Sequence, residues 1–261
     1  MTSPLQVTPL PAFDDNYIWA LRRPGGRGCV VVDPGDEDPV LAYLAAEGLS
    51  LDAILITHKH GDHVGGVRAL KAQWPQAVVY GPAGEPIPAC DRALRDGDRV
   101  QLSGLGEFAV LGVPGHTEDH IAYLGEGRLF CGDTLFAGGC GRVFSGTHDQ
   151  LSDALRRLAA LPAETRVHCA HEYTLANLGF AAWVEPDSPA LRARLARDTA
   201  ARERGEPTVP SRLDDELATN PFLRTAVPAV VAAAEAWAGQ PLSGHRAVFR
   251  ALRTWKDRDY D

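Results

Sequence analysis

The sequence predicts a mixed α/β fold up to about residue 173 and a mainly helical part beyond it. Two observations predict this division. The first stretch is dense in short apolar runs punctuated by Gly and Pro, with helical candidates between some of them. After Tyr173 such runs stop, and Ala, Arg and Leu recur with helical spacing. A third observation gives the chemistry its place. Ligand-type residues fall repeatedly just after the apolar runs, at Asp33, His58, His116, Asp133 and His171. Buried strands with chemistry at their ends are the usual layout of an α/β enzyme.

In chain order, strands are expected at GCVVVDPG, LDAILITH, QAVVYGP, DRVQLSG, GEFAVLGVPGH, HIAYLG, GRLFCGD and TRVHCAHE. Helices are expected at PVLAYLAAEG, GVRALKAQW and HDQLSDALRRLAAL in the first part. In the second part they are expected at TLANLGFAAWV, SPALRARLARDTAARERG, VPAVVAAAEAWAG and SGHRAVFRALRTWKDR. Pro186, Pro189, Pro207, Pro210, Pro221, Pro228 and Pro241 limit where those helices run. The expected parts are therefore residues 1–173 and 174–261, with no internal repeat or low-complexity tract.

The chain has 261 residues, 45% hydrophobic and 23% charged, which is ordinary for a soluble globular protein with a large core. Its formal charge of -8 is carried by residues 1–175, because residues 176–261 hold 12 basic and 12 acidic side chains. Neither part has the basic surplus of a nucleic-acid binder. No 18-residue apolar run exists, and the N-terminal MTSPLQVTPLPAF lacks a basic segment followed by a long apolar core. A cytoplasmic protein without membrane or nucleic-acid partners is expected. Five cysteines with no CxxC pair read as reduced thiols.

The densest chemistry lies in ILITHKHGDHVGG, where His58, His60, Asp62 and His63 crowd into six residues. Imidazole and carboxylate are common metal ligands, and a single catalytic tetrahedral ion needs only three from the protein. On an extended loop alternate side chains point the same way, so His58, His60 and Asp62 share a side and His63 does not. If the chain turns helical near Gly65, Asp62 swings away as well. The run thus suits two ions better than one. His116 in VPGHT, Asp133 in FCGDT and His171 in CAHEY are the partners on offer. Taken singly, each reads equally well as a surface or hydrogen-bonding residue. A carboxylate has two oxygens and can bridge two cations, which makes Asp133 the candidate bridge. His120, His148, His168 and His245 stand alone and read as ordinary histidines. Cys131 and Cys169 read as core packing rather than ligands.

THKHGDH, with GHT, GDT and HEY following in order, resembles the signature of the metallo-β-lactamase superfamily. FDDNYIW, CGDTLFAGGCGRVFSG, HCAHEYTLANLGFA with VEP, NPFLR and FRALRTWKD resemble its glyoxalase II branch, the hydroxyacylglutathione hydrolases. The resemblance covers essentially the whole chain. It implies a four-layer αβ/βα sandwich as catalytic domain, followed by a helical substrate-binding domain. It implies two divalent metal ions per chain, zinc first, with iron or manganese as alternatives. His58, His60 and His116 would hold one ion, and Asp62, His63 and His171 the other. Asp133 would bridge them together with a water or hydroxide, with Asp62 beside it. Asp33 matches a position with a structural role, steadying the ligand loop. A plain turn at Asp33-Pro34-Gly35 accounts for it equally well.

The activity implied is hydrolysis of S-(2-hydroxyacyl)glutathione thioesters, S-D-lactoylglutathione to D-lactate and glutathione, as the second step of methylglyoxal detoxification. Arg253 and Lys256, three apart, match the pair that holds the glycine carboxylate of glutathione. Read from the residues alone, they are the solvated face of a helix whose apolar side is Val248, Phe249, Leu252 and Trp255. Arg142 and Tyr173 match further substrate contacts. Phe144 stands where some members place a tyrosine, so one hydrogen bond to substrate is missing. Arg142 stands where a lysine is also seen, which keeps the charge and changes the donor geometry. The alternatives are a glutathione persulfide dioxygenase with a single iron and another hydrolase of the same fold. A closed metal-stapled binding module is the non-enzyme alternative. A monomer suffices for all of these.

Overall fold

A computed structural model describes residues 4–260. Residues 1–3 and 261, the outer ends of the two expected parts, lie outside the described residues. The chain forms two compact units. One runs to Gly112 and includes Asp119–Gly132; the other comprises Val113–Glu118 and the chain from Asp133 on.

The first unit opens with a hairpin of β1 (Gln6–Ala12) and β2 (Asn16–Arg22). It continues through β3 (Gly28–Val32), α1 (Asp38–Glu47), β4 (Ser50–Leu55), the single turn α2 (Gly61–Val64), α3 (Val67–Gln73), β5 (Val78–Pro82) and β6 (Arg92–Leu94). These strands make one sheet in the order β1-β2-β3-β4-β5-β6, antiparallel up to β3 and parallel from β3 on. The parallel strands are near-continuous apolar runs, as strands covered on both faces must be. Val31, Ile54 and Val79 pack with Val40 and Leu44 of α1 and with Val67 and Leu70 of α3 in one core. Pro39 lies in the first turn of α1, and Gly48 ends the helix in the left-handed conformation at φ 63°. The unit also holds β7 (Arg99–Leu102), β8 (Gly106–Gly112), β9 (Ile121–Gly125) and β10 (Arg128–Gly132), which pair antiparallel in the order β10-β9-β8-β7.

The second unit holds a two-stranded hairpin, β11 (Leu135–Phe136) and β12 (Gly139–Cys140). It goes on through α4 (His148–Ala159), β13 (Arg166–Cys169), α5 (Thr174–Val184), α6 (Pro189–Glu203), β14 (Ser211–Arg212), α7 (Leu213–Thr219), α8 (Pro228–Ala238) and α9 (Gly244–Trp255). A π-helical turn, Lys256–Tyr260, closes it. Thr147 and Gln150 form a reciprocal capping box at α4, and the Ser188 hydroxyl caps α6. Phe180 packs on Phe222, Trp255 and Tyr260, and Phe222 on Phe249, so aromatic contacts form the centre of the helical part.

The helical part is not free of strand. Ser211-Arg212 pairs with β13 through Val167↔Ser211 and Arg166↔Arg212. Two residues are too few to show an alternating pattern, which is why the sequence does not announce them. Among the described residues no helix is long and apolar enough to cross a membrane.

Candidate metal centre

In the first unit the donors sit where parallel strands β3 and β4 end. Val32 pairs with Leu55, and the Asp33 N–H donates to the Leu55 carbonyl at 2.9 Å. This sets Asp33 beside Thr57 and His58. Asp33 adopts φ 51°, a left-handed conformation that aspartate tolerates better than most residues. Its carboxylate accepts the Thr57 N–H at 2.8 Å and the Thr57 hydroxyl at 2.7 Å. It also lies 3.1 Å from His63 Nδ1.

These contacts fix the imidazole tautomers. The Thr57 hydroxyl commits its one proton to Asp33, so at 3.0 Å it accepts from His58 Nδ1–H. The carboxylate likewise accepts from His63 Nδ1–H. Both rings are left with a lone pair on Nε2, the form a metal requires. His58 Nε2 lies 3.1 Å from His60 Nδ1, and His63 Nε2 lies 3.4 Å from Asp62 Oδ2. Asn16 donates to the same Asp62 oxygen at 3.1 Å. His58 and His63 are fully buried, whereas His60 and Asp62 are half-buried.

The ligand run is not the extended loop that spacing alone predicts. His60, at ψ 147°, still has extended backbone, but the helical turn α2 begins at Gly61. Asp62 and His63 are therefore helical neighbours, while His58 and His60 precede the turn. Beneath the turn lies Gly35, where a Cβ would fall 1.8 Å from the Asp62 carbonyl oxygen. The Asp33-Pro34-Gly35 turn is thus both a strand terminator and the floor of the ligand run.

In the second unit His116, Asp133 and His171 come together, all nearly buried. Asp133 Oδ2 lies 3.5 Å from His116 Nε2, and its Oδ1 lies 3.3 Å from His171 Nε2. Each carboxylate oxygen therefore addresses a different imidazole. His116 Nδ1 contacts the Arg142 carbonyl at 2.8 Å. A carbonyl only accepts, so Nδ1 carries the proton and Nε2 keeps the lone pair. Gly141 makes this approach feasible, because a Cβ there would fall 2.0 Å from the Asp133 carbonyl oxygen and 2.9 Å from His116 Nδ1.

The donor set suits a divalent cation. Ligand bonds of about 2.1 Å in a tetrahedron put neighbouring donor atoms about 3.4 Å apart. The four donor–donor distances above run from 3.1 to 3.5 Å. Imidazole nitrogen and carboxylate oxygen without thiolate suit zinc, iron or manganese alike. Cys131 and Cys169 are fully buried, and burial pushes the Cys169 thiol up to about 12, so it stays protonated.

The remaining expected site residues also lie in the second unit. Arg142 is exposed and pairs with Asp257 at 3.7 Å. Phe144 is 65% exposed with its ring edge-on to His116. Tyr173, half-exposed, stacks on His171 with ring centres 4.7 Å apart. Arg253 is 1% exposed and donates to the Cys140 carbonyl at 3.0 Å and to Asp257 at 2.9 Å. The solvated face expected for Arg253 is thereby corrected: the residue lies on the buried side with Val248, Phe249 and Leu252. Lys256 is buried too, with its ammonium 5.5 Å from the Tyr260 ring centre. His120, which the sequence left aside, is buried and stacked on His58. Thr57 and Asn16 were not singled out. Both are short polar residues beside apolar runs, and only their register against Asp33 and Asp62 reveals what they do.

Residues 12–171 match the family described as the metallo-beta-lactamase superfamily. Residues 172–259 match the hydroxyacylglutathione hydrolase C-terminus. The hydroxyacylglutathione hydrolase of Alkalilimnicola ehrlichii is 58% identical over 97% of this chain and 99% of its own length. The chain belongs to the hydroxyacylglutathione hydrolases. The enzyme of that name from Ectopseudomonas mendocina is 54% identical over the same shares of the two chains. Among solved structures, ETHE1 from Myxococcus xanthus is 34% identical, with a TM-score of 0.58 over 65% of this chain and 76% of its own. TTHA1623 in a di-iron-bound form is 33% identical, with a TM-score of 0.54 over 63% of this chain and 92% of its own. A metallo-beta-lactamase from Staphylococcus aureus subsp. aureus COL spans 98% of this chain and 72% of its own at 18% identity and a TM-score of 0.64, a likeness of fold alone. As a hydroxyacylglutathione hydrolase the chain carries the metallo-beta-lactamase fold followed by the family's helical C-terminal domain.

Proposed function

We propose that the chain hydrolyses S-(2-hydroxyacyl)glutathione thioesters, taking S-D-lactoylglutathione to D-lactate and glutathione, the second step of methylglyoxal detoxification. The observation that carries this reading is its full-length identity with hydroxyacylglutathione hydrolases, C-terminal domain included. The substrate is then a small glutathione thioester.

The donor chemistry supports a centre of two divalent ions, and the relative in a di-iron-bound form supports the number. In this reading His58, His60 and His116 would hold one ion and Asp62, His63 and His171 the other, with Asp133 available to both. Two such cations supply, when bound, a Lewis acid for the thioester carbonyl and hydroxide at neutral pH. The rest falls to the protein. Asp33, Thr57 and the Arg142 carbonyl keep the Nδ1 protons of His63, His58 and His116 in place, so each Nε2 keeps its lone pair. Asp133 presents one carboxylate oxygen beside His116 and the other beside His171. Water adds through its oxygen to the acyl carbon, its protons pass to bulk solvent, the C–S bond breaks, and the sulfur leaves as a thiolate whose conjugate acid has a pKa of about 8.5. Such a leaving group departs unprotonated near neutral pH, so no general acid is required. Exposed Arg142, Phe144 and Tyr173, with Arg253 and Lys256, are the proposed glutathione contacts. The same reading takes the enzyme as a cytoplasmic monomer; its cysteines, with no disulfide among the described residues, suit a reducing compartment.

The test is steady-state hydrolysis of S-lactoylglutathione with metal determined on the same sample. Rapid release of glutathione at close to two metals per chain supports the reading. No hydrolysis at full loading overturns the substrate. Iron at one per chain with oxygen uptake on glutathione persulfide would move the assignment to the dioxygenase reaction.

A further inference from the structure

The hairpin β11–β12 follows Asp133 by two residues and ends one residue before Gly141. A two-stranded hairpin alone is marginal in water, yet this one is held by buried side chains at five consecutive residues. Asn220 Nδ2 donates to the carbonyls of Phe136 and Gly139 at 3.3 and 2.9 Å. Asn177 Nδ2 donates to the Ala137 carbonyl at 3.1 Å. Glu216 Oε2 accepts the Gly138 N–H at 2.8 Å, and Arg253 donates to the Cys140 carbonyl. The four side chains are each no more than 2% exposed. They come from α5, α7 with the residue that ends it, and α9.

The clamp is itself clamped. Asn220 Oδ1 takes the Phe222 N–H at 3.1 Å, which fixes the amide orientation. Glu216 Oε1 takes the Arg194 guanidinium at 2.6 Å, and Arg194 also reaches Thr219 and Asp198. Every donor of the second unit lies next to the segment this clamp steadies, in sequence or in space. Asp133 precedes it. His116 leans on the carbonyl of Arg142, just after it. His171 meets the edge of Phe136 within it, ring centres 5.7 Å apart.

We propose that Asn220, Asn177 and Glu216 are positioning residues for the metal-binding reaction site, holding the 136–140 hairpin so that Asp133 and His116 keep their spacing. The helical C-terminal segment thus acts on the centre through backbone hydrogen bonds as well as through substrate. This deepens the proposed hydrolase reading and rests on it.

The test compares Asn220→Ala and Asn177→Ala with Val230→Ala, a buried α8 residue chosen as a stability control. Zinc affinity is read by chelator competition, kcat and KM on S-lactoylglutathione, and stability by thermal melting. Loss of an orienting contact around a metal ligand costs about 10–100-fold in affinity or activity. The expected result is a zinc dissociation constant and a kcat worse by about tenfold or more in Asn220→Ala, a smaller loss in Asn177→Ala, and KM within about twofold of wild type. Val230→Ala should melt lower and change neither. If the asparagine variants lose only stability, as the control does, the proposal is overturned. Should Asn220→Ala fail to fold, Asn177→Ala decides. Should wild type not hydrolyse the thioester, the substrate reading fails while zinc competition still decides the clamp.

Discussion

Asp33 Oδ2 lies 3.1 Å from Nδ1 of His63, inside a carboxylate that also takes both donors of Thr57. Three donors converge on one buried anion, and two histidine tautomers depend on it. Asp33→Asn replaces one acceptor oxygen with a donor, so at least one of these contacts turns repulsive. Zinc retention and kcat should each fall about 10–100-fold, measured by chelator competition and steady-state kinetics. Unchanged retention would reduce Asp33 to a turn residue.

Arg142 and Arg253 should separate cleanly. Arg142→Ala removes an exposed side chain, so stability should stay within about 0.5 kcal/mol while KM rises. Arg253→Ala strips a donor from the buried Cys140 carbonyl and should cost about 1–3 kcal/mol of stability besides its effect on KM. Urea titrations alongside kinetics check both.

Phe144 is the exposed aromatic next to His116. Phe144→Tyr adds one hydrogen-bond donor toward substrate, worth about 1 kcal/mol. KM should fall about fivefold with kcat unchanged. An unaltered KM would place the peptide part of the substrate elsewhere.

Burial works against the charge on Arg194, but Glu216 and Asp198 outweigh it and hold the guanidinium above its usual range. Arg194→Ala leaves Glu216 buried without its cation and should cost about 3–5 kcal/mol. Chemical denaturation measures it, and a loss under about 1 kcal/mol would show that Glu216 finds another partner.

Burial pushes the thiols of Cys29 and Cys169 up to about 12 and that of Cys140 to about 11, the last despite Arg253 beside it. Cys90 is exposed, though desolvation raises its thiol as well. A disulfide reagent at pH 8 should therefore modify one thiol in the folded protein and all five after unfolding. Raised folded values favour the neutral thiol. The stability they contribute is complete below the ordinary value of 9.0 and is lost as pH rises through about 11 to 12. Melting temperature should decline across that alkaline range.

Much of the fold was legible because apolar runs and helical spacing are local signals. β3, β4 and β13 fall on their expected runs, and α4 and α9 on theirs. The crowded histidine run was legible for the same reason. What escaped was structure that depends on partners distant in sequence. The FAGGC hairpin has no period to read, since its shape comes from Asn177, Glu216 and Asn220 far along the chain. The helical turn at Asp62 was masked by flanking glycines, which suggest a loop. Arg253 looked solvent-facing because arginine usually is; its burial depends on a carbonyl 113 residues away.

Gly141 packs so closely on Asp133 and His116 that no side chain fits there. For anyone reshaping this enzyme toward bulkier acyl groups, that codon is closed: a randomised library at residue 141 should return glycine alone among active clones. The useful diversity lies one and three positions on, at Arg142 and Phe144, where the chain faces solvent. A closed and an open position of the site are thus adjacent in the gene, and a single short cassette can spare one while varying the other.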